Sequence, residues 1–219
     1  MQANYVQRLR LIFSKNGPAR YISHLDLART LERALNRAQI PVAYTQGFNR
    51  RPRMQMATAL PLGYTSEYEL ADILLMEKME PAAAQQQIMN RMAPGIVILQ
   101  AAEVPISSPS LQSITHSSTY VATPLDPMDF AELQARVAAL LAAETVERVR
   151  DKQGKKKKYD LRPLILDLAA TQGEGGQVHI HMNLCLEPSR TGRPDEVLEA
   201  LGFDPLDVRI HRTGMVLVE

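Results

Sequence analysis

Apolar and polar residues alternate from position 5 to 13 (YVQRLRLIF) and predict a first strand, closed by the turn Asn16-Gly17-Pro18. The period then changes. Leu25, Ala28, Leu31, Leu35 and Ala38 recur at helical spacing. Ser23, with Asp26 at the third helical position, forms a near relative of the capping box. These signals predict a helix from Ser23 to near Gln39, before Pro41. Short extended pieces follow at 42–44 and 54–60, then a strand at 68–76. A helix opened by Glu80-Pro81 covers 82–92, stopped by Pro94-Gly95, and a strand runs from 95 to 104.

After the loop-like stretch PISSPSLQS the same order returns. A strand at 117–123 leads into a helix at 127–143, a strand at 145–152 and a lysine-rich turn. A strand at 177–186, a helix at 194–201 and a strand at 207–217 complete it, with the segment 159–170 fitting either a helix or a strand. The expected class is α+β: two tandem ferredoxin-like (split βαβ) domains with antiparallel sheets, one over 1–108 and one over 109–219.

Composition changes this picture little. The chain has 219 residues, 45% apolar and 22% charged, enough for one large or two small cores. No apolar run approaches the ~20 residues needed to span a bilayer, so no membrane partner is expected. The opening MQANYVQRLRLIF lacks the apolar stretch and cleavage site of a signal peptide, and a cytoplasmic location is expected. The single cysteine, Cys185, rules out an intramolecular disulfide and a cysteine-cluster metal site; in VHIHMNLCL it reads as a buried small hydrophobe. His179 and His181 share its strand face, but no nearby acid completes a ligand set, so packing is expected and no metal. Neither a phosphate-binding loop nor a dinucleotide turn occurs, and no cofactor is expected.

Charge changes the picture most. Through Arg53 the chain carries ten Lys/Arg against two acids, a net of +8 in a protein whose total is +1. Residues 54–144 have a net of −7, residues 145–168 of +4 and residues 169–219 of −4. Two basic islands in an acidic chain point to a polyanionic partner.

In the first island, Arg29, Arg33 and Arg37 fall at i, i+4 and i+8 on one face of the predicted helix, beside its apolar stripe. Arg20 precedes the helix. The following QGFNRRPR joins a glycine and an aromatic, Phe48, to Arg50, Arg51 and Arg53, whose planar forks grip phosphate or stack on bases. Tyr44 is a second candidate for stacking. His24, flanked by Tyr21, Ser23 and Asp26 at the helix start, is the one histidine placed for acid–base work. The second island, RVRDKQGKKKKYDLRP, reads as a hairpin with Lys155, Lys156, Lys157 and Lys158 at its tip, offering salt-dependent attraction to phosphates. Each feature also has a plain reading: a wet helix face, a loop with Phe48 tucked into the core, a packed histidine, a solvated hairpin.

FSKNGPARYISHLDLARTLERAL, PVAYTQGFNRRPRMQMATALPLG and TSEYELADILL, with KKKKYDLRPLI as a weaker second block, resemble a bacterial family of radical-SAM-linked proteins of unknown function. Its members stand alone or are fused C-terminal to cobalamin-binding-type radical SAM proteins. The strongest resemblance covers residues 9–75. It implies a radical SAM partner acting on RNA; this chain lacks the CxxxCxxC ligands of such an enzyme. A looser architectural likeness is to the metal-independent endoribonucleases that process CRISPR repeat RNA, although the glycine-rich loop of that group is not evident.

The leading expectation is a non-catalytic accessory module that binds RNA or another anionic substrate. Arg20, Arg29, Arg33, Arg37, Arg50, Arg51 and Arg53 would make contact, with Tyr44 or Phe48 stacking and the four lysines as an electrostatic arm. The alternatives are RNA cleavage by His24 and Tyr21, and a basic face that docks an acidic protein.

Overall fold

The computed structural model describes residues 5–152 and 155–218, which divide between Ile114 and Thr115 into two units. In the first unit, strand β1 (Gln7–Lys15) has two different faces. On one, Leu9, Leu11 and Phe13 join Ala71, Ile73 and Leu75 of β3 (Thr65–Leu75) and Ile96 and Ile98 of β4 (Ile96–Val104). The same cluster takes Leu27, Leu31 and Leu35 of α1 (His24–Arg37) and Ala84 and Ile88 of α2 (Pro81–Met89). Full burial of each large side chain is worth about 1.5–3 kcal/mol, so this cluster is a major source of the unit's stability. β1 is antiparallel to both β3 and β4, and the short β2 (Met54–Met56) adds outside β3, giving the order β4-β1-β3-β2.

Helix α1 begins as its cap predicts. Ser23 Oγ accepts from the Asp26 backbone N–H at 3.1 Å and donates to the Asp26 carboxylate at 2.7 Å. The buried stripe is Leu27, Leu31, Ala34 and Leu35, continued by Ala38; Leu25, expected within it, is 66% exposed. Leu25 lies two positions before Leu27, about 200° around the helix, so burying the Leu27 face turns Leu25 outward. The helix closes in a Schellman turn, with Gln39 N–H donating to Asn36 O at 3.0 Å and Ile40 N–H to Leu35 O at 3.1 Å. Gln39 occupies the left-handed position there, at φ 52°.

The second unit places β5 (Thr115–Pro124) between β11 (Val208–Leu217) and β9 (Val178–Glu187), with β8 (Ile165–Gln172) on the far side of β9. The order is β11-β5-β9-β8, and each of these pairings is antiparallel. The two-residue β10 (Arg190–Thr191) folds back on the end of β9. Buried positions alternate along β9 (Val178, Ile180, Met182, Leu184) and recur at helical spacing in α4 (Phe130–Ala142) as Leu133, Val137 and Leu140. α5 (Pro194–Ala200) buries Val197 and Leu198. The linking stretch ahead of this unit contains a single helical turn, α3 (Leu111–Ile114).

One expectation for this half is corrected. The strand predicted at 145–152 does not stand beside β9; β6 (Glu147–Lys152) pairs instead with β7 (Lys155–Asp160) in a two-stranded sheet of its own. Its apolar residue Val149 is 52% exposed, whereas Ile165 and Leu168 of β8 are buried and take the place beside β9. The four lysines are corrected with it. They run along β7 rather than forming the turn, whose residues 153 and 154 lie outside the described residues, as do the side chains of 151–155.

Taken together, the chain is a mixed α/β protein built on antiparallel strands with few helices. Among the described residues no helix is long and apolar enough to cross a membrane.

Candidate nucleic-acid interface

Of the ten cations before position 54, three are held inside the first unit. Lys15 is fully buried, its Nζ donating to Ile22 O at 3.3 Å. Arg8 and Arg10, on the second face of β1, share one buried carboxylate, Asp72 of β3. Arg8 Nε and Arg10 Nε reach it at 2.9 Å each, and Nη2 of both arginines adds further bonds. Arg8 also donates to the carbonyls of Ser108 and Pro109. The seven arginines that remain are those of the predicted interface.

They sit in three places. Arg20 lies in a 3₁₀ turn (Gly17–Tyr21), half-buried, with Cζ 5.1 Å from the centre of the Tyr21 ring. Tyr21 itself is 68% exposed. Arg29, Arg33 and Arg37 are exposed along α1. Arg29 is 3.4 Å from Asp26, and Arg37 Nη2 donates to Arg91 O at 2.8 Å, which leaves Arg33 unbonded among the described residues. His24 opens α1 with its Nδ1 enclosed and without a hydrogen-bond partner among the described residues.

The third place is the loop. Residues 43–45 and 51–53 run antiparallel as a stem: Thr45 N–H donates to Arg51 O at 2.8 Å, Arg51 N–H to Thr45 Oγ1 at 3.0 Å and Arg53 N–H to Ala43 O at 2.6 Å. Ala43 N–H and Leu74 O at 2.7 Å, with Leu74 N–H and Arg53 O at 3.1 Å, root this stem on β3. Tyr44 Oη donates to Asn36 Oδ1 at 2.5 Å and so ties the stem to α1 beside Arg33 and Arg37. Residues 46–50 form the exposed tip, which turns at Gly47 with φ 129°.

Phe48 at that tip is fully exposed, so the reading that tucks it into the core is set aside. Arg50 and Arg51 follow it in the chain, exposed and unbonded through their side chains among the described residues. Residues 44–53 contain no acid. Such a loop presents a flat apolar ring and two exposed guanidinium forks, suited to a base on the ring's face and phosphates on the forks.

In the second unit, Lys156 is exposed and Lys158 Nζ contacts Glu147 at 2.8 Å, which raises the lysine's pKa. Lys155 lies in β7, its side chain outside the described residues. Lys157 lines a cleft of about 700 Å³ between the hairpin and the β10–α5 segment. The hairpin is fastened there by Arg150. Its Nε and Nη2 donate to the two Glu196 oxygens at 2.7 and 2.5 Å, and Nη2 also reaches Thr191 O at 2.7 Å. Its Cζ lies 4.3 Å from the centre of the Tyr159 ring. Burial opposes ionisation of Glu196, but the two hydrogen bonds from Arg150 together with its charge outweigh it and set the carboxyl below its usual range. Burial, then the neighbouring Glu196, pushes the Tyr159 phenol well up.

The remaining predicted sites are ordinary packing. His179 Nδ1 and Thr123 Oγ1 are 2.9 Å apart, as are His181 Nε2 and Thr171 Oγ1, and Cys185 Sγ donates to Arg190 O at 3.3 Å. Burial, followed by the Glu187 charge, raises the Cys185 thiol. Among the described residues no group of three His, Cys, Asp or Glu side chains is arranged to hold a metal ion.

The fold and this surface define a mixed α/β protein with an arginine-rich, aromatic-tipped loop. The chain belongs to the family described as uncharacterized protein conserved in bacteria (DUF2344), which matches residues 8–194. Among solved structures it is similar to the crystal structure of a Cbf5-Nop10-Gar1 complex, with a TM-score of 0.50 and 7% identity over 94% of this chain and 48% of that chain. It is also similar to the crystal structure of the archaeal box H/ACA sRNP Nop10-Cbf5 complex, with a TM-score of 0.44 and 8% identity over 96% of this chain and 47% of that one. The first likeness is one of fold alone, and the chain spans about half the length of each of these two chains. No curated protein matches it by sequence.

Proposed function

We propose that this protein is a non-catalytic accessory module that binds single-stranded RNA through the 44–53 loop and the adjacent arginines of α1. One observation carries the reading: a fully exposed Phe48 at the tip of a braced stem, between a turn glycine and two exposed, unbonded arginines. An aromatic ring held in water contributes nothing to folding, and its arginine neighbours match the stacking-plus-phosphate chemistry of sequence-tolerant RNA binding. Lys156 and Lys157 add a diffuse, salt-sensitive attraction. The strand orders β4-β1-β3-β2 and β11-β5-β9-β8, each with helices after the first and third strands in sequence, support reading both units as ferredoxin-like, the second with the β6–β7 hairpin inserted.

The resemblance of residues 9–75 is the support for a radical SAM enzyme as the partner to which the module presents its RNA. Fluorescence anisotropy with a labelled oligonucleotide tests the binding step. The double variant Arg50→Glu/Arg51→Glu is expected to lose retention at low salt, and unchanged affinity would remove the central claim. Nuclease-treated lysates test the partnership by co-purification of the radical SAM enzyme with this chain.

A further inference from the structure

The stem of the loop stands over a cleft of about 550 Å³ lined by Tyr5, Arg8, Thr45, Arg53, Gln55 and Asp72, all within the first unit. Its charge is unbalanced. Asp72 is 3% exposed and is the one acid of the lining, and its two oxygens are taken by Arg8 and Arg10 together. Two guanidinium groups thus share one carboxylate, leaving a fixed positive excess at the cleft floor. Arg53 adds a second. Its Cζ lies 5.6 Å from the centre of the Tyr5 ring, and its half-buried guanidinium makes no hydrogen bond or ion pair among the described residues.

A half-buried guanidinium without an acceptor is costly, and native structures give such groups a partner. An acceptor-rich anion satisfies the need; a neutral or cationic ligand does not. Resting on the RNA-binding reading above, we propose that this cleft is a phosphate site: it receives a phosphate of the nucleotide adjoining the base on Phe48, with Arg53 as the bonding fork and the Arg8–Asp72–Arg10 group as a fixed counter-charge. Thr45 and Pro52 belong both to the stem and to the lining, so loop and cleft form one continuous surface. The phosphate could be a terminal monoester or an internal diester, two sources of the same chemistry.

The test uses the full chain, with inorganic phosphate followed by phosphorus NMR and short oligonucleotides followed by anisotropy. Wild type and Phe48→Ala should bind inorganic phosphate alike, and Arg53→Gln should weaken it by about tenfold or more, the loss of a charge-assisted bond. Arg53→Lys keeps the charge, removes the fork and should fall in between; it decides the matter should Arg53→Gln fail to fold. No saturable phosphate binding by the wild type, or undiminished binding in both Arg53 variants, overturns the site. A 5′-phosphorylated oligonucleotide that outbinds its 5′-hydroxyl form, with the advantage lost in Arg53→Gln, assigns a terminal phosphate; equal binding of the two forms, weakened alike, assigns an internal one. Should Phe48→Ala bind RNA as wild type does while Arg53→Gln loses phosphate, the cleft stands and the loop reading falls.

Discussion

Arg150 of β6 meets Glu196 of α5 fork to fork, with Nε to Oε1 at 2.7 Å and Nη2 to Oε2 at 2.5 Å, and this pair fastens the lysine-bearing hairpin to the body of its unit. Arg150→Ala removes the fork, leaving the largely shielded Glu196 carboxylate without its ion-pair partner and the Tyr159 ring without its cation. The variant is expected to lose about 1–3 kcal/mol of stability in urea unfolding. Limited proteolysis should then cut first within 147–160; an unchanged cleavage pattern would show that the hairpin is held by other contacts.

Acid should release the same fastening. The folded Glu196 carboxyl sits below its usual range, so at acid pH the unfolded chain binds the extra proton and stability falls as pH falls. The contribution is complete above the ordinary glutamate value, about pH 4.3, and disappears as pH drops through the lower folded value. Glu196→Gln should flatten that part of the stability–pH curve, measured by thermal melts across the acid range.

Phe48→Ala separates folding from binding. Its ring is fully exposed, so stability should stay within about 0.5 kcal/mol of wild type. RNA affinity should fall by about 1–3 kcal/mol, the worth of one stacked base. A matching loss in both measurements would make Phe48 a structural residue.

Gln39 offers a test of the helix end that positions Tyr44. It holds φ 52° in the Schellman turn, a conformation that strains a residue with a Cβ. Gln39→Gly should therefore stabilise the protein by about 0.5–1 kcal/mol in chemical denaturation, against the usual cost of a glycine. A loss of stability would mean that the backbone there is relaxed.

Much of the first unit was legible because its signals are local. The Ser23–Asp26 cap, the Pro94-Gly95 stop and the alternation in β1 each depend on near neighbours, and their elements appear close to where they were expected. Leu25 falls outside the buried stripe because two overlapping helical stripes share Leu31, Leu35 and Ala38, and only packing within the core cluster chooses Leu27 over Leu25. In the second unit β8 was ambiguous because a register irregularity between Ile165 and Asp167 breaks its alternation, while the regular polar alternation of Glu147–Lys152 imitates a sheet strand without an apolar face to bury.

The interface was legible as a list of arginines and not as a shape. Sequence separation conceals that Asp72 engages Arg8 and Arg10, although charges at alternate positions of a buried strand are a usable sign of a paired interior cation. Charge counting placed Lys15, Arg8 and Arg10 in the same field as Arg50 and Arg51, and burial separates them. Nothing local to Arg150 announced Glu196, which lies on another element beyond β9.

The hairpin's two ends meet: Leu161 N–H donates to Val146 O at 2.9 Å, so the chain leaves the body of the unit and re-enters it at nearly one point. Beyond the Arg150–Glu196 fastening, the length and charge of the arm are therefore free to drift in the lineage that carries this fold. Homologous chains can lengthen, shorten or recharge it without renegotiating the sheet behind it, and the arm is where partner preference can diverge while the scaffold stays the same.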